Sequence, residues 1–173
     1  FFNQQGTLFP LDDATLVARL IEGNTHNSKF TPVQAERFAI EFEVLAQYRN
    51  DPLLAGGTGF SATLFKRRGT EEYTLSFRST EFLDDPARDT KATNELEIKQ
   101  LGWAFGQIAV MEDWYKNTLR AEGGLLQGKE FSVTGYSLGG HLATAFNILR
   151  REEATATGNA DPVIETYTFN GAG

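Results

Sequence analysis

Within Lys129–Phe146, "KEFSVTGYSLGGHLATAF", one serine stands between glycines two residues before and two residues after it: Gly135-Tyr136-Ser137-Leu138-Gly139. For a serine to attack a carbonyl carbon, its hydroxyl must stand clear of the fold on a rigid, tight turn. Glycines at these offsets let a strand and a helix approach closely around such a turn. A helix that begins there aims free backbone N–H groups at the reacting carbonyl, and its dipole favours the developing negative charge. The residues before the motif read as a short apolar strand and those after it as a helix, the context this chemistry requires. A serine in this place can also be a plain helix cap, so the placement of its hydroxyl separates the two readings.

A nucleophilic serine needs a base, and the sequence has two histidines. His26 lies before the serine in a polar loop. His141 lies one turn down the helix, and side chains lean back along a helix toward its start. An elbow serine points away from the helix body, however, so a packing role suits His141 better. In strand–serine–helix hydrolases the sequence order is serine, acid, histidine. Asp161 precedes the last strand and Glu165 lies inside it. Catalytic groups of such sheets gather at the C-terminal ends of the strands, so neither acid is well placed.

The stretch "VTGYSLGGHLA" resembles the nucleophile elbow of the class 3 lipases, an α/β-hydrolase family. "YTLSFRSTEF" is similar to that family's strand ending in Phe-Arg-Gly-Ser/Thr, and "TYTFNGAG" to the strand after its elbow helix. The similarity runs from about Phe30 to Gly173. It implies that Ser137 attacks the carbonyl of a carboxylic ester and forms an acyl-enzyme that water resolves. The N–H of Leu138 would be one oxyanion donor and Thr80 the other, through its backbone N–H and its hydroxyl. Each donor fixed before the reaction is worth on the order of a hundredfold in rate. Ser79 departs from the pattern, since the family has glycine there, and a need for positive φ would strain it. Arg78 would be positional, beside a carboxylate near Asp85 or Asp89.

The segment "FLDDPARDTKATNELE", residues 82–97, occupies the place of the family's lid. It is strongly charged, which argues against activation at a lipid surface and leaves room for a soluble esterase. Trp103, Phe105 and Trp114 are candidates for an acyl pocket, although their spacing also fits a core. The family's acid and histidine would lie beyond Gly173. The resemblance therefore implies an incomplete, C-terminally truncated α/β-hydrolase domain, with the remainder in a missing segment or a separate polypeptide. The activity implied is that of a lipase or esterase on a small-molecule or lipid ester, with no cofactor and no metal. A thioesterase or peptidase on the same elbow is an alternative, and so is a degenerate hydrolase-like module that binds without catalysis.

The elements that would position these residues are local readings. Asp12-Asp13 caps a short helix, "ATLVARLIE", that stops at Gly23. Thr31-Pro32-Val33-Gln34 is a helix start with threonine as cap, proline in the first turn and glutamine closing a capping box. That helix is expected to run to about Tyr48, with Phe38, Phe42 and Leu45 as its apolar stripe. "GFSATLFK" and "EYTLSFR" form a β-hairpin around Arg67-Arg68-Gly69-Thr70. From about Glu95 to Arg120 the pattern is helical. "EFSVT", "LGGHLATAFNILRREE" and "VIETYTF" make a β-α-β unit with parallel strands. The fold class is α/β: a mixed, hydrolase-like sheet with helices on both faces. Residues 1–30 read as an N-terminal helical extension and 31–173 as the hydrolase core.

Composition bounds the rest. A length of 173 residues, 40% hydrophobic and 23% charged, supports one domain with a real core. A net charge of −7 argues against nucleic acid or an anionic membrane held by bulk charge. No apolar run reaches the length of a membrane span. With no cysteine there is no disulfide and no thiolate chemistry, which fits any compartment and leans toward an exported bacterial protein.

Overall fold

The computed structural model describes residues 7–8, 10–23, 29–49, 58–79 and 104–171. Helix α1 spans Asp13–Glu22. Asp12 caps it by accepting from the Thr15 N–H at 2.9 Å, and Gly23 ends it at φ 71°. Helix α2, Pro32–Glu41, opens with the full capping box. The Gln34 N–H donates to Thr31 Oγ1 at 3.3 Å, and the Thr31 N–H donates to Gln34 Oε1 at 2.9 Å.

The helix expected to reach Tyr48 stops at Glu41. Phe42–Arg49 is instead strand β2, paired antiparallel with β3, Ser61–Arg67. The stripe Phe38, Phe42, Leu45 therefore straddles two elements. The same residues also carry a two-residue alternation, Val44-Ala46-Tyr48, and pairing with β3 selects it over the helical reading. A bulge between Val44 and Ala46 interrupts that alternation, so Val44 packs in one buried cluster while Ala46 and Tyr48 pack in the other.

The hairpin forms where expected. Strand β4, Tyr73–Phe77, lies antiparallel to β3 with Leu64 opposite Leu75, and the Arg67 N–H donates to the Glu72 carbonyl across the turn at 2.9 Å. Strand β5, Phe131–Tyr136, then runs parallel to β4, and β6, Val163–Phe169, runs parallel to β5. A two-residue strand β1, Thr7–Leu8, pairs with β2. The six strands follow sequence order across one mixed sheet, antiparallel from β1 to β4 and parallel from β4 to β6.

Helices cover both faces. Helix α3, Phe105–Trp114, continues into a π-helical turn, Tyr115–Leu119; residues 95–103 of the helix expected there lie outside the described residues. Helix α4 spans Leu138–Thr157, four residues past its expected end, and closes on Gly158. Both pack on one face, where Trp114, Tyr115, Leu142 and Phe146 meet Phe60, Leu75, Phe131 and Val133 in one buried cluster. Each such side chain, fully withdrawn from water, is worth roughly 1.5–3 kcal/mol. On the other face α1 and α2 set Leu16 and Ala39 against Val44, with Phe38 and Phe65 beside them. Trp114 is 1% exposed and lies 5.5 Å from the Tyr48 ring, a core residue and no pocket wall. Phe105 is exposed, and Trp103 lies outside the described residues.

Candidate active site

Strand β5 ends at Tyr136 and helix α4 begins at Leu138, so the whole reversal falls on Ser137. Its backbone sits at φ 52°, ψ −121°, a conformation that L residues rarely adopt and that costs of order 1–3 kcal/mol. Two backbone bonds hold it there. The Ser137 N–H donates to the Phe169 carbonyl on β6 at 2.9 Å, and the Ser137 carbonyl accepts from the His141 N–H at 3.1 Å.

The flanking glycines explain why the turn fits. A Cβ on Gly135 would lie 2.0 Å from the Gly139 carbonyl oxygen. A Cβ on Gly139 would lie 2.2 Å from the carbonyl oxygen of Phe77 at the end of β4. Strand, turn and helix are thus in backbone contact with one another and with the neighbouring strand. Ser137 is half-buried, and its hydroxyl makes no capping bond to the helix it starts. The cap reading of this serine therefore has no bond to rest on.

The first intrahelical bond is the one from His141, so the N–H groups of Leu138, Gly139 and Gly140 lie ahead of the helix's own ladder. Leu138 is buried. Thr80, the other expected oxyanion donor, lies outside the described residues, as do Asp85, Asp89 and His26. Ser79 is half-buried and is not among the positive-φ residues, so the strain considered for a serine at that position does not arise. The Arg78 N–H donates to the Ser61 carbonyl at 3.0 Å, tying the tip of β4 to the start of β3.

The two acids are placed as their positions in the sequence imply. Asp161 accepts from the Val163 N–H at 2.9 Å and lies 3.8 Å from Arg151, at the N-terminal end of β6. Glu165 is exposed and accepts from the Tyr167 hydroxyl at 2.6 Å, an arrangement that raises the phenol's pKa. Both have structural partners away from the elbow. His141 is half-buried on the first turn of α4.

Compared with protein-family models, curated proteins and solved structures, the protein matches none.

One feature beside the serine was not read from the sequence. Tyr136 and Phe169 are register partners at the ends of β5 and β6, and both are exposed, at 58% and 60%. The residue after Phe169 is Asn170 at φ 48°, the left-handed region that asparagine tolerates. A strand ending in Phe-Asn-Gly carries that signal, since asparagine before glycine marks a sharp turn.

A charged constellation sits in the second half of α4. Arg150 is 2% exposed; its Nη2 lies 2.5 Å from Glu112 Oε2 and its Nη1 lies 3.1 Å from Glu153. The guanidinium lies over Tyr115 at 4.7 Å and Phe146 at 5.0 Å. Lys116 and Arg120 complete the series of pairs on the outer side. Among the described residues no cluster of His, Asp and Glu has the makings of a metal site, and no helix is long and apolar enough to cross a membrane.

Proposed function

We propose that this protein carries the nucleophile of a serine hydrolase of the α/β-hydrolase type, a lipase or esterase similar to the class 3 lipases, that cleaves carboxylic esters. The observation that supports this reading is the conformation of Ser137. A strained, non-glycine residue is held between two contact-requiring glycines at a strand-to-helix reversal, with its hydroxyl out of the cap.

In this reading Ser137 Oγ adds to the ester carbonyl while its proton passes to a base. The oxyanion is met by the Leu138 N–H at the start of α4 and by Thr80. The C–O bond to the alcohol breaks as the alcohol takes the proton. Water then attacks the acyl-enzyme by the same route and releases the acid. The resemblance implies a base and an acid that follow, in sequence order, the strand after the elbow helix. The exposed rings of Tyr136 and Phe169 beside the serine suit an ester with an apolar acyl or aryl group.

A fluorophosphonate probe tests the proposal. The full-length protein is expected to label at Ser137, to hydrolyse p-nitrophenyl esters, and to lose both in Ser137→Ala. If the full-length protein neither labels nor turns over esters, the non-catalytic module reading takes its place.

A further inference from the structure

Most lysines and arginines among the described residues stand against carboxylates: Arg19 with Glu22, Lys66 and Lys129 with Glu71, Arg68 with Asp13, Arg151 with Asp161. Lys29 and Arg37 form no ion pair among the described residues. Both border the same pocket of about 420 Å³, formed where the segment before α2 folds against that helix. Pockets that take small molecules fall in this size range and combine an apolar wall with a few polar groups.

The wall is aromatic. Phe38 stacks on Phe42 with ring centres 4.9 Å apart, and Phe30 meets Phe38 edge-on at 5.7 Å. The Phe30 N–H donates to the Leu20 carbonyl at 2.9 Å, which ties this wall to α1. Gln34 also borders the pocket. Its carboxamide oxygen accepts from Thr31, so what it has left to offer is its NH₂ donors. Among the described residues Glu41 is the one acid on the rim, so two cations there face one carboxylate in a protein of net charge −7. Uncompensated cations and a spare donor beside three packed rings are complementary to an anion with an apolar body.

We propose that this pocket binds a small organic anion, an aryl or alkyl carboxylate or sulfonate, with its charged group held by Lys29 and Arg37 and its body on Phe30, Phe38 and Phe42. The site lies at the hairpin end of the sheet, where Phe42 is opposite Arg67, whereas Ser137 follows the opposite end of β5. It does not depend on the hydrolase reading.

The probe is 8-anilinonaphthalene-1-sulfonate, titrated into the 173-residue protein with fluorescence for affinity and calorimetry for stoichiometry. One saturable site per molecule is expected. Its affinity should fall by about tenfold or more in the Lys29→Gln/Arg37→Gln double variant and stay unchanged in Ser137→Ala. Both substituted positions are exposed, so circular dichroism and Tm should match the parent. Octanoate or benzoate should displace the dye, while octanol at the same concentration should not; which acid displaces better assigns an alkyl or an aryl body. Equal dye affinity in the double variant, displacement by octanol as good as by octanoate, or no saturable binding would each overturn the proposal.

Discussion

The start and the second half of helix α4 are built on opposite principles. At its start, Ser137 is strained, its hydroxyl is outside the cap, and the first N–H groups of the helix precede the ladder. Three turns further on, Arg150 is buried, and Glu112, Glu153, Tyr115 and Phe146 surround its guanidinium. The first region keeps hydrogen-bonding capacity in reserve at the cost of backbone strain. The second pairs its buried guanidinium with two carboxylates and crosslinks α3, the π-helical turn and α4. Buried charge is therefore a poor guide to chemistry in this molecule. The better guide is a polar group that the fold leaves uncommitted in spite of the strain required.

Substitutions in the two regions should separate these principles. The largest effect is expected from Ser137→Gly. On the proposed function, ester turnover and probe labelling should drop by about a thousandfold or more. Stability should hold or rise by about 1 kcal/mol, because glycine accepts φ 52° without strain. A clear loss of stability in urea denaturation would mean that the serine side chain supports the fold. Arg150→Leu should do the reverse. It strands Glu112 and Glu153 without their buried partner and should cost about 3–5 kcal/mol, while the folded fraction still labels at the parent rate. Equal damage to stability and labelling would show that the two regions are coupled.

Gly139→Ala should combine the two defects. Its Cβ would meet the Phe77 carbonyl at 2.2 Å, so the helix must retreat from β4. A cost of about 1–3 kcal/mol and loss of labelling are expected together, read by the urea midpoint and the probe on one sample.

The smallest effect belongs to the surface. Hydrogen bonds from Lys129, Lys66 and Tyr73 hold the Glu71 carboxyl at about 2, below its ordinary 4.5. A carboxyl lowered on folding adds stability that is complete above pH 4.5 and is lost as pH falls toward 2. Glu71→Gln should therefore flatten the acid fall in urea midpoint within that window. Because the group is fully exposed the change should be slight, and an unaltered slope would show the cluster to be energetically silent.

What was legible in the sequence was local. The Thr31–Gln34 capping box, the Arg67–Thr70 turn and the glycines around Ser137 each signal through residues a few positions apart, and each appears as read. Strand β2 was not legible. Phe42–Arg49 fits helical and alternating patterns alike, and its partner β3 begins a dozen residues later. The hold on Ser137 by the Phe169 carbonyl was hidden for the same reason, since it joins residues on separate strands. The base of the proposed reaction has no local signature at all. A triad is a spatial arrangement, and neither Asp161 nor Glu165 carries any mark of belonging to one.

The contact between Gly139 and the Phe77 carbonyl has a consequence for anyone who wishes to alter this molecule. Because backbone touches backbone there, no larger side chain can be introduced to nudge the serine's turn, and its distance from the tip of β4 is fixed. Libraries built around this turn should leave residues 135 and 137–140 untouched and diversify Tyr136 and Phe169, which are exposed and can change size without moving the frame.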